Sequence, residues 1–299
     1  MLPQFPQFKP LELSDREDIE QITNQYPPYS DFNFTSMWSW DVKSEMRISG
    51  LGSNLIVRFT DYTTGEPFYS FLGTHNPSET VHELLTYSKK EGLEPILRLL
   101  PEVSVNALDQ NSFIIEEDRD NFDYIYLIDK LRTYDGNKLR AKRNFFNRFK
   151  KSYIYTVQKL DYSDPHTQQQ VMDLFDIWRK NKGIKESDTL NERKAFHRLF
   201  EEASNQNILP FGMFINEQLV GMIVNELLPN DYALLHFEKA DDKYIGIYSA
   251  LMLENAKLLS DLRKKHLNYE QDLGLEGLRL GKRSFQPIDF LKKYTLKTN

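Results

Sequence analysis

Two tandem α/β domains, of the α+β type with mixed and mostly antiparallel sheets, are what this sequence predicts. Three observations carry the expectation. Helical and strand-like runs alternate in one order (helix, strands, helix, strand, helix, strand), and that order occurs twice, changing over near residue 130. Several strand-like runs are joined by very short polar turns, Asn216-Glu217-Gln218 and Pro229-Asn230-Asp231, which makes the joined strands antiparallel neighbours. The chain has 299 residues, 40% hydrophobic, with 20 Phe, 16 Tyr and 3 Trp, enough apolar and aromatic surface for two cores. The expected domains are 1–130 and 131–299.

In the first cycle, Ser14 reads as a helix N-cap with Glu17 at the capping-box position, and Pro27-Pro28 ends that helix. The aromatic stretch "YSDFNFTSMWSWD" reads as irregular. Strands follow over 44–49, 54–60 and 67–72, the last stopped by Gly73. Pro77-Ser78-Glu79 opens a helix that runs to Glu91, with Gly92 as its C-cap. "PILRLL" reads as a strand, 102–110 as a short helix, and 112–116 and "FDYIYLI" as strands.

The second cycle opens with a basic helix over 132–150, then a strand over 153–159 and helices over 165–181 and 189–204. "ILPFGMFI", "LVGMIVNELL" and "YALLHFEKA" are the hairpin-linked strands. A helix over 246–262, a strand over 266–270 and a final strand "DFLKKYTLK" complete the cycle.

Composition narrows the chemistry. With 38 basic against 44 acidic residues the net charge is −6, so any nucleic-acid contact must come from a local basic patch. There is no cysteine, which excludes disulfides, thiolate nucleophiles and cysteine-bound metals. The start "MLPQFPQFKP" lacks the features of a signal peptide, and no run of 18 apolar residues occurs, so no transmembrane segment and a cytoplasmic location are expected. His75 and His82 have no third ligand nearby, so no metal is expected, and no Gly-x-Ser-x-Gly elbow is present.

Three stretches can carry chemistry. "NKLRAKRNFFNRFKKSY" holds Lys138, Arg140, Lys142, Arg143, Arg148, Lys150 and Lys151 with no acid among them, while Leu139, Phe146, Phe149 and Tyr153 recur at helical spacing. This is either a solvated helix face or an anion site, with Arg143 and Arg148 as contacts and Asn144 as a polar orienting group. "HFEKADDKYIGIYSAL" delivers His236, Glu238 and Lys239 near a strand end. Alternation puts His236 and Glu238 on one face, usable as an orienting group and a general base or as an edge-strand charge pair.

The strand-to-helix turn that follows, Lys243-x-x-Gly246-x-Tyr248, keeps the spacing of the Gln/Arg-x-x-Gly-x-Gly/Ala pyrophosphate cradle of GNAT acetyltransferases, with Tyr248 in place of the last small residue. The third stretch is "NYEQDLGLEGLRLGKRSFQP". A P-loop needs a glycine at 276 and Ser or Thr at 283, and the chain has Glu276 and Arg283. What remains is Glu270 and Asp272 upstream of a helix on which Gly277 and Gly281 form a bare face and Arg279 and Lys282 another. Two interior glycines suggest close approach of a backbone or a ligand, or else a softened turn with solvated charges.

Together with "YPPYSDFNFTSMWSW", these stretches resemble the family of bacterial proteins related to the C-terminal domain of phosphatidylglycerol lysyltransferase. The resemblance implies two tandem GNAT-like domains akin to Fem-type aminoacyltransferases. The first is expected to be degenerate, because its strand-turn-helix "GTHNPSE" lacks the cationic start and the second glycine, and the second to be the active one. The resemblance also implies transfer of an acyl or aminoacyl group to an amine or hydroxyl, with aminoacyl-tRNA as donor. An acyl-CoA is the other donor considered, and the basic helix is the expected place of any tRNA contact.

By position it carries over Asn268, Glu270, Gln271, Asp272, Gly274, Gly277, Arg279, Lys282, Ser284 and Pro287, with His236, Glu238, Lys239, Gly246, Tyr248, Arg143 and Asn144. Glu238, His236 and Glu270 are the expected catalytic groups. Arg143, Asn144, Arg148, Lys239, Gly246, Tyr248, Asn268, Gln271, Asp272, Arg279, Lys282 and Ser284 are expected to bind substrate or donor. Two alternatives stand beside the enzyme: a catalytically inactive GNAT-like module binding a small anionic or amino-acid ligand, and a nucleic-acid binder using the basic helix.

Overall fold

A computed structural model describes residues 1–61 and 65–298. In chain order the elements are β1 (Lys9–Pro10), α1 (Arg16–Thr23), α2 (Phe34–Trp40), β2 (Arg47–Leu51), β3 (Asn54–Thr60), β4 (Pro67–Leu72), α3 (Pro77–Lys90), β5 (Ile96–Pro101), α4 (Glu102–Val105) and β6 (Phe113–Glu117). There follow β7 (Asp123–Leu127), α5 (Ile128–Leu131), α6 (Arg140–Ser152), β8 (Thr156–Lys159), α7 (Pro165–Asn181) and α8 (Leu190–Phe200). The rest are β9 (Ile208–Ile215), β10 (Gln218–Leu227), β11 (Tyr232–Ala240), α9 (Ile247–Asp261), β12 (His266–Asn268), α10 (Glu276–Arg283), β13 (Asp289–Leu291) and β14 (Lys293–Thr298).

Two compact units result. The first comprises Met1–Asp123, Gln271–Gly274 and the stretch from Leu291 onward; the second comprises Tyr124–Glu270 and Leu275–Phe290. The change-over expected at 130 therefore lies at Asp123 and Tyr124, and two later stretches return to the first unit. Strand pairing is the reason. "DFLKKYTLK", read as one strand, is two: β13 belongs to the second sheet, whereas β14 inserts antiparallel between β5 and β6 of the first. Local pattern cannot show which sheet a strand joins, because pairing partners are remote in sequence.

The first sheet has the order β1-β2-β3-β4-β5-β14-β6, antiparallel except where β4 meets β5. Strand β3 shows how it builds its core: Leu55, Val57 and Phe59 pack on one face with Ile19, Phe32 and Phe34, and Ile56 packs on the other with Val81 and Leu84 of α3. A polar knot is buried in the same unit. Lys293, fully shielded, donates to Asp123 at 2.8 Å and pairs with Asp31, and Ser30 Oγ donates to Asp123 at 2.6 Å.

The second sheet has the order β13-β7-β12-β11-β10-β9-β8. Helix α9 is buried on nearly all sides, from Ile247 through Ala250, Leu251 and Met252 to Leu259, so it packs as a core helix and not as an amphipathic surface one. Gly221 of β10 lets it sit close, since a Cβ there would lie 2.8 Å from Leu251 Cδ1.

Local readings also change. The capping box before α1 uses Glu12 and Asp15, not Ser14 and Glu17. The stretch read as irregular contains α2, whose N-cap Asn33 accepts from Ser36 N at 2.9 Å. The basic helix read over 132–150 is interrupted, with a turn through Gly136 separating α5 from α6. No described helix is long and apolar enough to cross a membrane.

Candidate active site

In the second unit β11 and β12 run parallel for three rungs, Tyr232↔His266, Ala233↔Leu267 and Leu234↔Asn268, and there the ladder stops. On the other side of β11 the register with β10 passes from Asn225↔Leu235 to Val224↔Phe237, which leaves His236 as the extra residue of a β-bulge. Past the last rung both strands carry ionisable side chains: His236 and Glu238 on β11, Tyr269 and Glu270 after β12.

Glu238 is the centre of this group. The Tyr269 hydroxyl donates to Glu238 Oε2. Oε1 is shielded from solvent and has no hydrogen-bond partner among the described residues, although the residue as a whole is half-buried. Burial pushes the carboxyl up to about 7, against the opposing pull of the Tyr269 hydrogen bond and of Lys142, Lys282 and Lys239. Lys142 projects inward from α6, its ammonium 3.7 Å from the centre of the Phe285 ring, and burial lowers it to about 8. Lys282 is buried; its Nζ donates to the Tyr269 carbonyl, and its own carbonyl accepts from the Tyr126 hydroxyl at 2.8 Å. It therefore holds the Tyr269 backbone in place.

His236 lies between two carboxylates, with Nε2 3.1 Å from Glu226 Oε2 and Nδ1 3.3 Å from Glu270 Oε1. Burial alone would lower its pKa, but hydrogen bonds to Glu226 and Glu270 outweigh it and raise the imidazole to about 9. Glu270 has φ +52°, and its amide donates to the buried Asn268 Oδ1 at 2.7 Å, which fixes the turn that follows β12.

The other expected contacts separate into distinct surroundings. Lys239 is buried, paired with Glu192 at 2.7 Å and 3.5 Å from the Trp178 ring centre, so it faces α7 and α8. Gly246 has φ +93°, and a Cβ there would lie 2.4 Å from the Phe145 carbonyl oxygen of α6. Its missing side chain is used for helix packing. Tyr248 is largely buried, with its hydroxyl engaged by Trp178 and by the Ala240 backbone. Arg143 donates to the Tyr134 carbonyl at 2.6 Å and closes the turn before its own helix. Asn144 and Arg148 are exposed on α6 with Arg140, Lys150 and Lys151, and Lys138 is exposed just before it.

The motif after β12 divides between the units. Gln271 and Asp272 belong to the first: Gln271 accepts from Ser30 Oγ at 2.8 Å, and buried Asp272 pairs with Arg119 at 3.3 Å. Arg279 is partly exposed on α10, and Ser284 Oγ donates to the Gly281 carbonyl. The bare face expected to meet a backbone or a ligand has open space beside it: among the described residues, no other element comes within 4 Å of a Cβ built at Gly277 or Gly281.

The family described as phosphatidylglycerol lysyltransferase, C-terminal, matches residues 23–297. The chain belongs to this family. A conserved protein of unknown function from Bacteroides thetaiotaomicron is similar to it over 100% of both chains, with 27% identity and a TM-score of 0.85. L-PGS from Bacillus licheniformis is similar over 95% of this chain and 92% of its own, at 14% identity and a TM-score of 0.63. A tandem GNAT protein from the clavulanic acid biosynthesis pathway is similar over 97% of each chain, at 11% identity and a TM-score of 0.50. A comparison with curated protein sequences found no match. The fold is thus two tandem GNAT-like units with mixed, mostly antiparallel sheets.

Sequence reasoning missed Glu226 and Tyr269 as site members and read Lys142 as part of an outward cationic face. A signal for Lys142 existed. It stands at 142 between Leu139, Phe146 and Phe149, on the apolar stripe of its own helix. For Glu226 there was none, because its partner His236 is fixed by a bulge.

Proposed function

We propose that the second unit transfers an acyl or aminoacyl group to an amine or hydroxyl acceptor, with Glu238 taking the acceptor's proton. The observation that supports this most is the Glu238 carboxyl itself. It has one oxygen held by Tyr269, the other shielded and unpartnered, and a pKa of about 7, at the point where two parallel strands part. A base of that pKa is well matched to neutral pH. In the proposed step the acceptor nitrogen or oxygen bonds to the acyl carbon, its proton passes to the Glu238 carboxylate, and the donor's acyl–oxygen bond breaks. Lys142, at about 8, returns a proton to the departing oxygen. A backbone amide of β11 supplies the oxyanion contact.

An oxygen ester such as aminoacyl-tRNA suits these residues better than a coenzyme A thioester. An alkoxide leaving group needs a proton, which Lys142 can provide, whereas a thiolate departs without one. The pyrophosphate cradle of coenzyme A also fits poorly, because Gly246 packs on the Phe145 carbonyl and Tyr248 fills the third position. The exposed cations of α6 would take tRNA phosphates.

That covered helix start also favours a second reading, a catalytically inactive GNAT-like module that binds a small anionic or amino-acid ligand. Incubation with a panel of charged tRNAs and acyl-CoA thioesters, scored for transfer to amine and hydroxyl acceptors, separates the two. Turnover that disappears in Glu238→Gln supports the enzyme; a ligand retained through purification with no turnover of any donor supports the binding module.

A further inference from the structure

Beyond the last rung between β11 and β12, two side-chain links span the parting strands. They use neighbouring residues: Tyr269 reaches Glu238, and Glu270 reaches His236. The second link continues to β10 through Glu226, so one imidazole ring on β11 joins β10 to the turn after β12. Donation to both carboxylates requires a proton on each ring nitrogen, hence an imidazolium. His236 and Glu226 are buried, and Glu270 is largely so. Without the ring, both carboxylates lose the imidazolium that they share. The bulge at His236 aims the ring into this position and makes the arrangement specific to this one residue.

We propose that His236 is a positioning residue: by clamping Glu270 against Glu226 it fixes the chain after β12 so that the Tyr269 hydroxyl meets Glu238. It touches neither donor nor acceptor. The inference rests on the proposed reaction only in naming Glu238 as the proton acceptor; the geometry itself is tested without turnover.

A phenol that donates to a carboxylate in a shielded site gives a downfield, slowly exchanging hydroxyl proton. In the full chain that proton resonance is expected in the wild type and absent from Tyr269→Phe, which assigns it. It should vanish in His236→Gln and in Glu270→Ala. Because His236→Gln removes the imidazolium beside a buried carboxylate and can fail to fold, the double variant His236→Gln/Glu226→Gln is the second arm. It should melt close to the wild type yet still lack the signal, which a merely structural histidine would not produce.

Retention of the signal in folded Glu270→Ala and in the folded double variant overturns the proposal. Where the wild type gives no resolved hydroxyl proton, the 13C titration of the Glu238 carboxyl replaces it. A displaced midpoint in these variants supports the clamp, and an unchanged one overturns it. In a transfer assay the double variant should lose about tenfold or more in kcat with little change in KM. If Glu238→Gln leaves transfer intact, the proposed reaction fails while the proton signal still decides the clamp.

Discussion

Each unit contains a strand that leads into a helix beside a parallel neighbour: β4 into α3 with β5 alongside, and β11 into α9 with β12 alongside. In the first unit the residues near the parting are Phe71 and Leu72 on β4 and Leu99 and Leu100 on β5, all buried and apolar. The turn after β4 is filled by Asn54, whose amide donates to the His75 carbonyl at 2.6 Å and to Thr80 Oγ1 at 2.9 Å. Gly73 makes room for it, since a Cβ there would lie 2.1 Å from Asn54 Oδ1. In the second unit the corresponding places hold His236, Glu238, Tyr269 and Glu270. The same backbone device thus closes with hydrocarbon in one unit and opens onto ionisable groups in the other. Fold and chemistry are separable here, and the chemistry follows the side chains carried past the last rung.

The largest effect should come from the centre of the ionisable group. Glu238→Gln is expected to lower transfer by about 10²–10⁴-fold, the usual contribution of a general base, while thermal unfolding shows a folded protein. Its pH dependence of stability should change as well. A carboxyl raised from 4.5 to about 7 keeps its proton in the folded state where the unfolded chain has lost it, so stability falls from pH 4.5 to about 7. The variant should lack that fall. Undiminished transfer would remove the functional side of the comparison.

Charges in the first unit should behave differently. Lys293→Met leaves Asp123 and Asp31 buried without their cation and should destabilise by about 3–5 kcal/mol in denaturant unfolding. A loss under 1 kcal/mol would mean that the knot is not what holds β14 in the first sheet.

Next in size is a pH profile. Transfer should rise as Glu238 deprotonates through about 7 and fall as Lys142 deprotonates through about 8. Lys142→Met should abolish the alkaline limb; a limb that survives would assign it to another group. His236 contributes to stability with the opposite slope to a depressed carboxylate. Raised from 6.5 to about 9, it adds stability that is fully present below 6.5 and lost as pH rises through about 9.

The smallest effects compare glycines. Gly246→Ala, at φ +93° and facing the Phe145 carbonyl, should destabilise by more than about 1 kcal/mol. Gly277→Ala and Gly281→Ala, on α10 with open space beside them, should each stabilise by about 0.5–1 kcal/mol. Thermal melts read all three, and a destabilising Gly277→Ala would point to a close approach that the open space does not indicate.

Much of the framework was legible because it is local. Hydrophobic spacing and turn residues placed β9, β10 and β11, and the Asn216-Glu217 turn, with both residues at positive φ, announced its hairpin. The helix read from residue 165 is present, and Asp164 caps it by accepting from the amides of His166 and Thr167. Spacing also placed His236, Glu238 and Glu270 at strand ends. What it could not supply was the company these residues keep. Gln271 and Asp272 stand next to Glu270 in sequence yet serve the first unit, and Lys282, read as a cation for substrate, holds a tyrosine backbone instead.

By itself, then, the sequence determined the element order, the two-unit plan and the residues able to carry charge. These are set by periodicity, capping and turn chemistry, which act over a few residues. The tertiary structure alone decided that β14 returns to the first sheet, that His236 occupies a bulge between Glu226 and Glu270, and that Glu238 is shielded enough to titrate near 7. Each of these depends on contacts between residues tens of positions apart or more, and on burial, which changes the free energy of a charge without altering its identity in the chain.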